Sequence, residues 1–123
     1  MINGAVNNHR EPRIPLTLSG PGSRPQIVDA VVDTGFTGEL ALPQRLVSAL
    51  GLVQRGYGRA ILADGRSAVF AVYTATAIWH GVSRVVETEA ADTDPLVGMG
   101  LLAGSDLSIA CRPHASVTIQ PHV

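Results

Sequence analysis

Short apolar segments that alternate every second residue, each ended by turn-forming residues, most strongly limit how this chain can fold. Side chains of a strand point to opposite faces in turn, so this alternation predicts strands with one buried face. The Asp64-Gly65 pair lies between two such segments and is a strong hairpin signal. The predicted strands are residues 13–18, 27–32, 40–42, 58–62, 67–79, 82–89, 107–111 and 116–120.

Only two segments favour helices. Pro43 suits the first turn of a helix that residues 44–50 continue and that Gly51 ends. Residues 99–104 predict one or two further helical turns. Since neither an internal repeat nor a long linker divides the 123 residues, we predict a single all-β domain, residues 1–123, with one or two short helices.

The net charge and the hydropathy of the chain argue against some classes of function. The formal net charge is −1 and no stretch is rich in lysine or arginine, which argues against a nucleic-acid partner. No apolar run is long enough to span a membrane, and residues 1–4 lack the basic start of a signal peptide, so a cytoplasmic location is expected. With 46% hydrophobic and 15% charged residues, the chain is expected to bury surface against another subunit or within a tight barrel.

The motif Asp33-Thr34-Gly35 is the part of the sequence that most strongly suggests a chemical function. It directly follows the apolar segment 27–32, which places a carboxylate on a tight turn at the edge of a core. Gly35 is expected to permit backbone conformations and close approaches that a side chain would block, and Thr34 offers a hydroxyl to brace the loop. An aspartate that only caps a turn is the simpler alternative.

Two motifs together resemble retropepsin-like (clan AA) aspartic proteases, including their small bacterial relatives. Residues 31–38, Val-Val-Asp-Thr-Gly-Phe-Thr-Gly, resemble the active-site turn of that family. Residues 96–102, Leu-Val-Gly-Met-Gly-Leu-Leu, resemble its second signature, two apolar residues and a glycine before a short helix. Gly98 follows Gly35 by 63 positions, and the hairpin at residues 63–65 lies between the motifs, where the family has its flap.

This resemblance implies a closed β-barrel protomer and an aspartic endopeptidase built as a two-fold homodimer, because the chain supplies one Asp33 and the reaction needs two carboxylates. It implies that Asp33, Thr34 and Gly35 are catalytic, with Thr34 hydrogen-bonded across the dimer axis. A peptide or protein substrate is implied, and neither cofactor nor metal. The residues it places against substrate or behind the catalytic turn are Phe36, Thr37, Ala63, Asp64, Gly65, Val97 and Gly98.

The chain departs from the viral members at two positions. They carry an acid where this chain has Thr37, and an arginine where it has Met99, and those two groups form an ion pair near the dimer interface. Both are absent here, so neither charge is left without its partner. The terminal strands of the viral enzymes interleave at that interface, and the sequence leaves open whether residues 116–123 do the same.

Other chemistries receive little support from the sequence. The four histidines and Cys111 form no metal-ligand pattern, with Cys111 and His114 the nearest to a ligand pair. Gly81-Val82-Ser83-Arg84 does not complete a serine-nucleophile turn. Cys111 is expected to be buried on a strand, and Asp92 and Asp94 to be solvated in a loop. The rival to the protease is a dimeric barrel that binds peptide or protein without cleaving it.

Overall fold

The alternating segments form ten strands and two short helices in the computed structural model, which describes all residues from 1 to 123. All eight expected strands and both expected helices are present, with some shifted bounds, and β1 and β8 are additional. In chain order the elements are β1 (Ile2–Val6), β2 (Pro12–Ser19), β3 (Gln26–Val32), β4 (Leu40–Leu42), α1 (Gln44–Ala49), β5 (Val53–Ile61), β6 (Ser67–Trp79), β7 (Val82–Ala90), β8 (Leu96–Val97), α2 (Met99–Leu102), β9 (Ser105–Ile109) and β10 (Ser116–Pro121).

Six of the strands close into a barrel. Around the ring the order is β6, β7, β4, β8, β3 and β2, and the ring closes because β2 also pairs with β6. Four of the six neighbouring pairs are antiparallel, and β4 runs parallel to β7. Strand β3 runs parallel to β8, with Val32 opposite Val97. Because both strands end at the same rim, the turn that follows β3 lies beside the residues that follow β8.

Pro15 lies inside β2, although proline within a sheet is usually confined to edge strands or bulges. The strand is not an edge: one side pairs with β3 throughout, and the other side pairs with β1 at residues 12–13 and with β6 at residues 18–19. Val31 of β3 donates its N–H away from β2, to Pro95, so the alternation of the ladder turns the nitrogen of Pro15 toward the gap between β1 and β6. The missing N–H of proline therefore removes no ladder hydrogen bond.

The barrel interior is filled by alternate residues of the strands, as the period-two pattern predicts. Helix α1 packs Leu46, Val47 and the following Leu50 into the same core, and Gly51, at φ 61°, ends the helix as expected. Val32 is buried at the end of β3, so Asp33 emerges at the rim of the core. The buried inward side chains of β2 and β3 are Ile14, Leu16, Leu18, Val28, Ala30 and Val32.

Beyond β2 the sheet continues outside the ring as β1, β10 and β9. No sequence pattern predicted β1, which lies between β2 and β10. It passes so close to β2 that a Cβ on Gly4 would overlap the carbonyl oxygen of Arg13. Strand β10 is paired on both sides within its own chain, with β1 and with β9. Strand β9 is the last of the sheet, and its outer edge is unpaired.

At the other end of the sheet the hairpin of β5 and β6 extends from the barrel. Strand β5 starts five positions earlier than predicted and pairs only with β6, with a bulge between Gln54 and Gly56. Its first half is polar and largely exposed, so no buried alternation marks it in the sequence. The predicted turn at residues 63–65 is present, and Gly65 has a φ of 85°.

Two side chains outside the barrel interior, Cys111 and Asp94, lie in surroundings that differ from those predicted. Cys111 is exposed rather than buried, because β9 ends at Ile109 and leaves it in the connecting turn. Asp94 is not simply solvated: its carboxylate lies 3.0 Å from Arg13. Trp79 is buried in the core. Neither helix has the length and hydrophobicity needed to cross a membrane.

Candidate active site

Asp33 lies directly after β3 on a turn that fixes one of its carboxylate oxygens. Its backbone N–H donates to the Val97 carbonyl at 2.9 Å, which continues the parallel pairing of β3 with β8. Its Oδ1 accepts the Gly35 N–H at 2.9 Å, and its carbonyl accepts the Phe36 N–H at 3.1 Å. Oδ2 makes no hydrogen bond within the chain, so a half-buried carboxylate with one fixed and one free oxygen stands at the barrel rim.

Gly35 shows one of the two features expected of it, the close approach, and not the other. Its φ is outside the left-handed region, so its backbone conformation does not require glycine. A Cβ on Gly35 would meet one atom within the chain, Asp33 Oδ1, at 3.2 Å. The close approach that glycine permits is therefore to the carboxylate of Asp33 itself.

The second motif is hydrogen-bonded through its backbone to the loop that follows the Asp33 turn. Three successive N–H groups, those of Gly98, Met99 and Gly100, donate to carbonyls of residues 39, 36 and 38 at 3.0, 2.7 and 3.0 Å. A Cβ on Gly98 would lie 2.2 Å from the Gly38 carbonyl oxygen. The contact that the sequence suggested between the two motifs is thus present, and it is made by backbone atoms.

Phe36, expected at the substrate, also packs within the loop. Its ring atoms would lie 2.5 Å from a Cβ on Gly38 and 2.5 Å from one on Gly98, so the half-buried ring fills the space that both glycines leave open. Thr37 is exposed beside it, and Val97 is fully buried in the core. Thr34 is exposed, and its hydroxyl has no partner within the chain. The structure therefore brings Asp33, Phe36, Val97 and Gly98 together and leaves Thr34 and Thr37 facing outward.

An ion pair that sequence reasoning missed anchors the same loop to β7. Glu39 Oε2 accepts a hydrogen bond from Arg84 at 2.8 Å, and Glu39 Oε1 accepts the Glu87 N–H at 2.8 Å. No sequence signal connected Glu39 with Arg84, which lies 45 positions away on another strand.

Glu89 is a second acidic side chain at the loop. Its Oε1 lies 3.2 Å from the position of a Cβ on Gly38. Burial raises the pKa of the Glu89 carboxyl, and the charge of Glu87 raises it further. Nothing in the sequence distinguished Glu89 from the other acids of the strand.

A groove of about 440 Å³ runs between the hairpin and the outer face of β7. Glu87, whose backbone N–H donates to Glu39, forms part of its wall. Its lining mixes charged, polar and apolar groups. The lining residues are Arg55, Gly56, Tyr57, Val72, Thr74, Val85 and Glu87.

The predicted flap residues Ala63, Asp64 and Gly65 form the hairpin tip. Every hydrogen bond of the tip is internal: the Leu62 N–H donates to Arg66 at 2.7 Å, and Arg66 returns two bonds to the Asp64 carboxylate. No hydrogen bond or ion pair connects the tip with the Asp33 turn. Apolar side chains are exposed along the hairpin, with Ile61 82% exposed.

No three His, Cys, Asp or Glu side chains come close enough to hold a metal ion. Models of known protein families give no match to this chain, and no curated protein matches it.

Proposed function

We propose that this chain is one protomer of a homodimeric, retropepsin-like aspartic endopeptidase in which each subunit contributes one Asp33. The observation that carries the proposal is the state of the Asp33 carboxylate. One oxygen is held by the Gly35 N–H, the other has no partner within the chain, and the turn follows a buried strand that is locked to the second motif. An aspartate that only capped its own turn would not need the backbone hydrogen bonds that join this turn and its loop to the second motif.

The proposed chemistry follows from two carboxylates brought close together. They cannot both ionise cheaply, so one keeps a proton. The ionised one accepts a proton from a water molecule as the water oxygen attacks the peptide carbonyl carbon, and the protonated one donates to the carbonyl oxygen. Transfer of a proton to the peptide nitrogen then lets the C–N bond break, giving a new carboxyl group and a new amine.

The second carboxylate must come from another chain under this proposal. No other acidic side chain is hydrogen-bonded to Asp33 or to its turn, and the single barrel carries a single Asp-Thr-Gly sequence. A two-fold axis beside the turn would bring Oδ2 of one protomer toward its symmetry mate. It would also give the free hydroxyl of Thr34 a partner.

The groove and the hairpin support an extended polypeptide as the substrate. The groove is lined in part by Glu87, whose backbone N–H donates to Glu39 of the loop after Asp33, and the exposed apolar residues of the hairpin could contact substrate side chains. A hairpin bonded only within itself at its tip, with glycine at φ 85°, can change position without breaking contacts to the barrel. Closure of the tip over a bound peptide would exclude water from the reacting groups.

The test is cleavage of an unstructured protein, such as reduced and alkylated casein, by the purified chain between pH 3 and pH 8. We expect cleavage that a transition-state-mimic inhibitor of aspartic proteases blocks. Asp33→Asn should reduce it by about 10² to 10⁴-fold, the usual contribution of a positioned proton donor or acceptor. Glu89→Gln is the matched control at a neighbouring acid and should retain activity. Saturable binding of casein without cleavage would instead favour a peptide-binding module.

A further inference from the structure

The outer edge of β9 is a row of backbone groups that pair with no other strand, and only the Ile109 carbonyl has a partner, the Cys111 Sγ that donates to it at 3.6 Å. On its inner side, β9 pairs with β10 from Ser105 opposite Pro121 to Ile109 opposite Val117. The Ala110 N–H donates to Ser116 and the His122 N–H donates to Gly104, so even-numbered residues of this segment point toward β10. In an antiparallel ladder the direction alternates, which turns the N–H and C=O groups of Ser105, Leu107 and Ile109 outward.

Apart from its short length and the single charge of Asp106, this edge lacks the features that normally keep a strand from pairing. It has no proline, lysine, arginine or bulge. The opposite edge of the sheet, on β5, carries Arg55, Arg59 and a bulge beside Gly56. The start of β9 is held in place by a 2.8 Å hydrogen bond between Ser105 Oγ and His80 Nε2. A fixed and unprotected edge of this kind favours pairing with another strand.

The same edge adjoins the proposed catalytic turn. A groove of about 460 Å³ is lined by Thr34 and Met99 and also by Ser105, Asp106 and Leu107. A partner that pairs with β9 therefore comes to lie beside Thr34, next to Asp33. Of all possible partners, a second copy of this chain is the one that would supply the missing carboxylate there.

We propose that two copies associate through antiparallel pairing of β9 with β9, which forms one continuous sheet with three strands from each protomer in the order β1, β10, β9, β9, β10, β1. This inference rests on the proposed function for its choice of partner. The terminal strands then complete the sheet within their own chain, since β10 is already paired on both sides.

The outward N–H and C=O groups of β9, together with its charges, select the register of the β9–β9 pair. With the two-fold axis at Leu107, Leu107 lies opposite its own symmetry mate, and Ser105 lies opposite Ile109 of the other copy. Each of these three pairs exchanges two hydrogen bonds. Asp106 then lies opposite Ser108 of the other copy, so no like charges face each other. Centring on Asp106 instead would place its two carboxylates opposite each other and leave only the two pairs of Ser105 with Leu107 within the strand.

The register makes Ser108 a sensitive reporter of the interface. Ser108 is exposed and is opposite Thr118 within its own chain, so a charged side chain there is tolerated by the fold. Across the interface it faces Asp106. We expect Ser108→Lys to tighten association and Ser108→Asp to weaken it, each by about threefold to tenfold, through two symmetric pairs.

The experiment measures the dimer dissociation constant by sedimentation equilibrium, with circular dichroism as the check on folding. All variants are made in an Asp33→Asn chain, so that neither self-cleavage nor peptidase activity affects the result. The opposite shifts of the two Ser108 variants should shrink in 1 M salt, since salt screens exposed charges. Leu107→Pro should weaken the dimer at least tenfold more than Leu107→Ala, because only the proline removes the outward N–H.

Ser108 variants that leave association unchanged or shift it in one direction overturn the inference. The inference is also overturned if Leu107→Pro dimerises as tightly as Leu107→Ala. It is overturned as well if the parent Asp33→Asn chain stays monomeric at the highest concentration. The two proposals fail separately. A β9-paired dimer whose wild-type form cleaves nothing refutes the endopeptidase alone, whereas an active dimer insensitive to Ser108 and Leu107 refutes this interface alone.

Discussion

Gly98 and Gly38 are in backbone contact so close that the second motif cannot carry a side chain at its glycine. A Cβ on Gly98 would lie 2.2 Å from the Gly38 carbonyl oxygen and 2.7 Å from that of Phe36. Both obstacles are backbone atoms, which cannot rotate away as a side chain does. This contact joins the two sequence motifs into one structural unit at the rim of the barrel.

Gly98→Ala is therefore expected to reduce the free energy of unfolding by about 3 kcal/mol or more, at the upper end of the cost of overpacking. Chemical denaturation followed by circular dichroism measures the loss. Gly22→Ala is the control for a glycine in open space, where an added Cβ meets nothing within 4 Å and the cost is limited to its positive φ of 73°. Equal stability losses in the two variants would contradict the proposed role of this contact.

Gly35→Ala should separate activity from stability. The backbone at Gly35 accepts any residue, and the added Cβ would press only on Asp33 Oδ1. We expect a change in unfolding free energy below about 1 kcal/mol together with at least a tenfold loss of kcat/KM, since the displaced carboxylate is the proposed catalytic group. Parallel denaturation and peptide kinetics provide the measurement. A fully active Gly35→Ala chain would argue against Asp33 as that group.

Mixing of subunits tests whether the site is shared. If each centre needs both Asp33 carboxylates, random pairing of equal amounts of wild-type and Asp33→Asn chains leaves about one quarter of the dimers active. Independent sites would leave about one half. The chains are refolded together and initial rates are measured at constant total protein. The specific rate of the wild type should also fall on dilution below its dissociation constant, and a rate that does not fall would refute the shared site.

Gly65→Val should impair the hairpin tip without unfolding the barrel. The φ of 85° at Gly65 disfavours a β-branched side chain, at a cost of about 1–3 kcal/mol that the exposed tip can relieve by changing shape. We expect kcat/KM to fall by about tenfold while the melting temperature stays close to that of the wild type. Val69→Thr, a polar change at an exposed site on the same hairpin, controls for altered surface hydropathy. Unchanged peptide kinetics in Gly65→Val would show that this hairpin is no flap.

Glu89→Gln should stabilise the protein at neutral pH. Burial, and then the charge of Glu87, raise the pKa of Glu89 in the folded state. The folded state therefore holds the proton more tightly than the unfolded state, and the free energy of unfolding falls as pH rises from the unfolded to the folded pKa. The neutral amide removes this penalty, so thermal melts should show a higher melting temperature than wild type at pH 7. The difference should vanish at a pH below both pKa values. Glu87→Gln, which relieves only the smaller charge effect, should give a smaller gain.

The local chemistry of the chain determined much of its structure. The period-two alternation specifies the strands that bury one face, because a one-residue shift would expose the whole apolar side. Pro43 and Gly51 specify the ends of α1, and Asp64-Gly65 and His80-Gly81 specify two hairpins, because their backbone conformations suit few other residues. The glycines of the Asp33 turn and of the second motif were also visible in the sequence, but what they permit is close approach to neighbouring atoms rather than an unusual backbone conformation.

Only the tertiary structure decided the contacts between segments that are far apart in the chain. Barrel closure through β2 and β6, the Glu39–Arg84 anchor and the burial that perturbs Glu89 each join residues that carry no mutual signal in sequence. Strand β1 was invisible because Gly4 and Asn3 dilute its alternation, and it forms only where β2 and β10 provide partners. The free edge of β9 is likewise a property of the assembled sheet, since a strand has an edge only once its other side is paired.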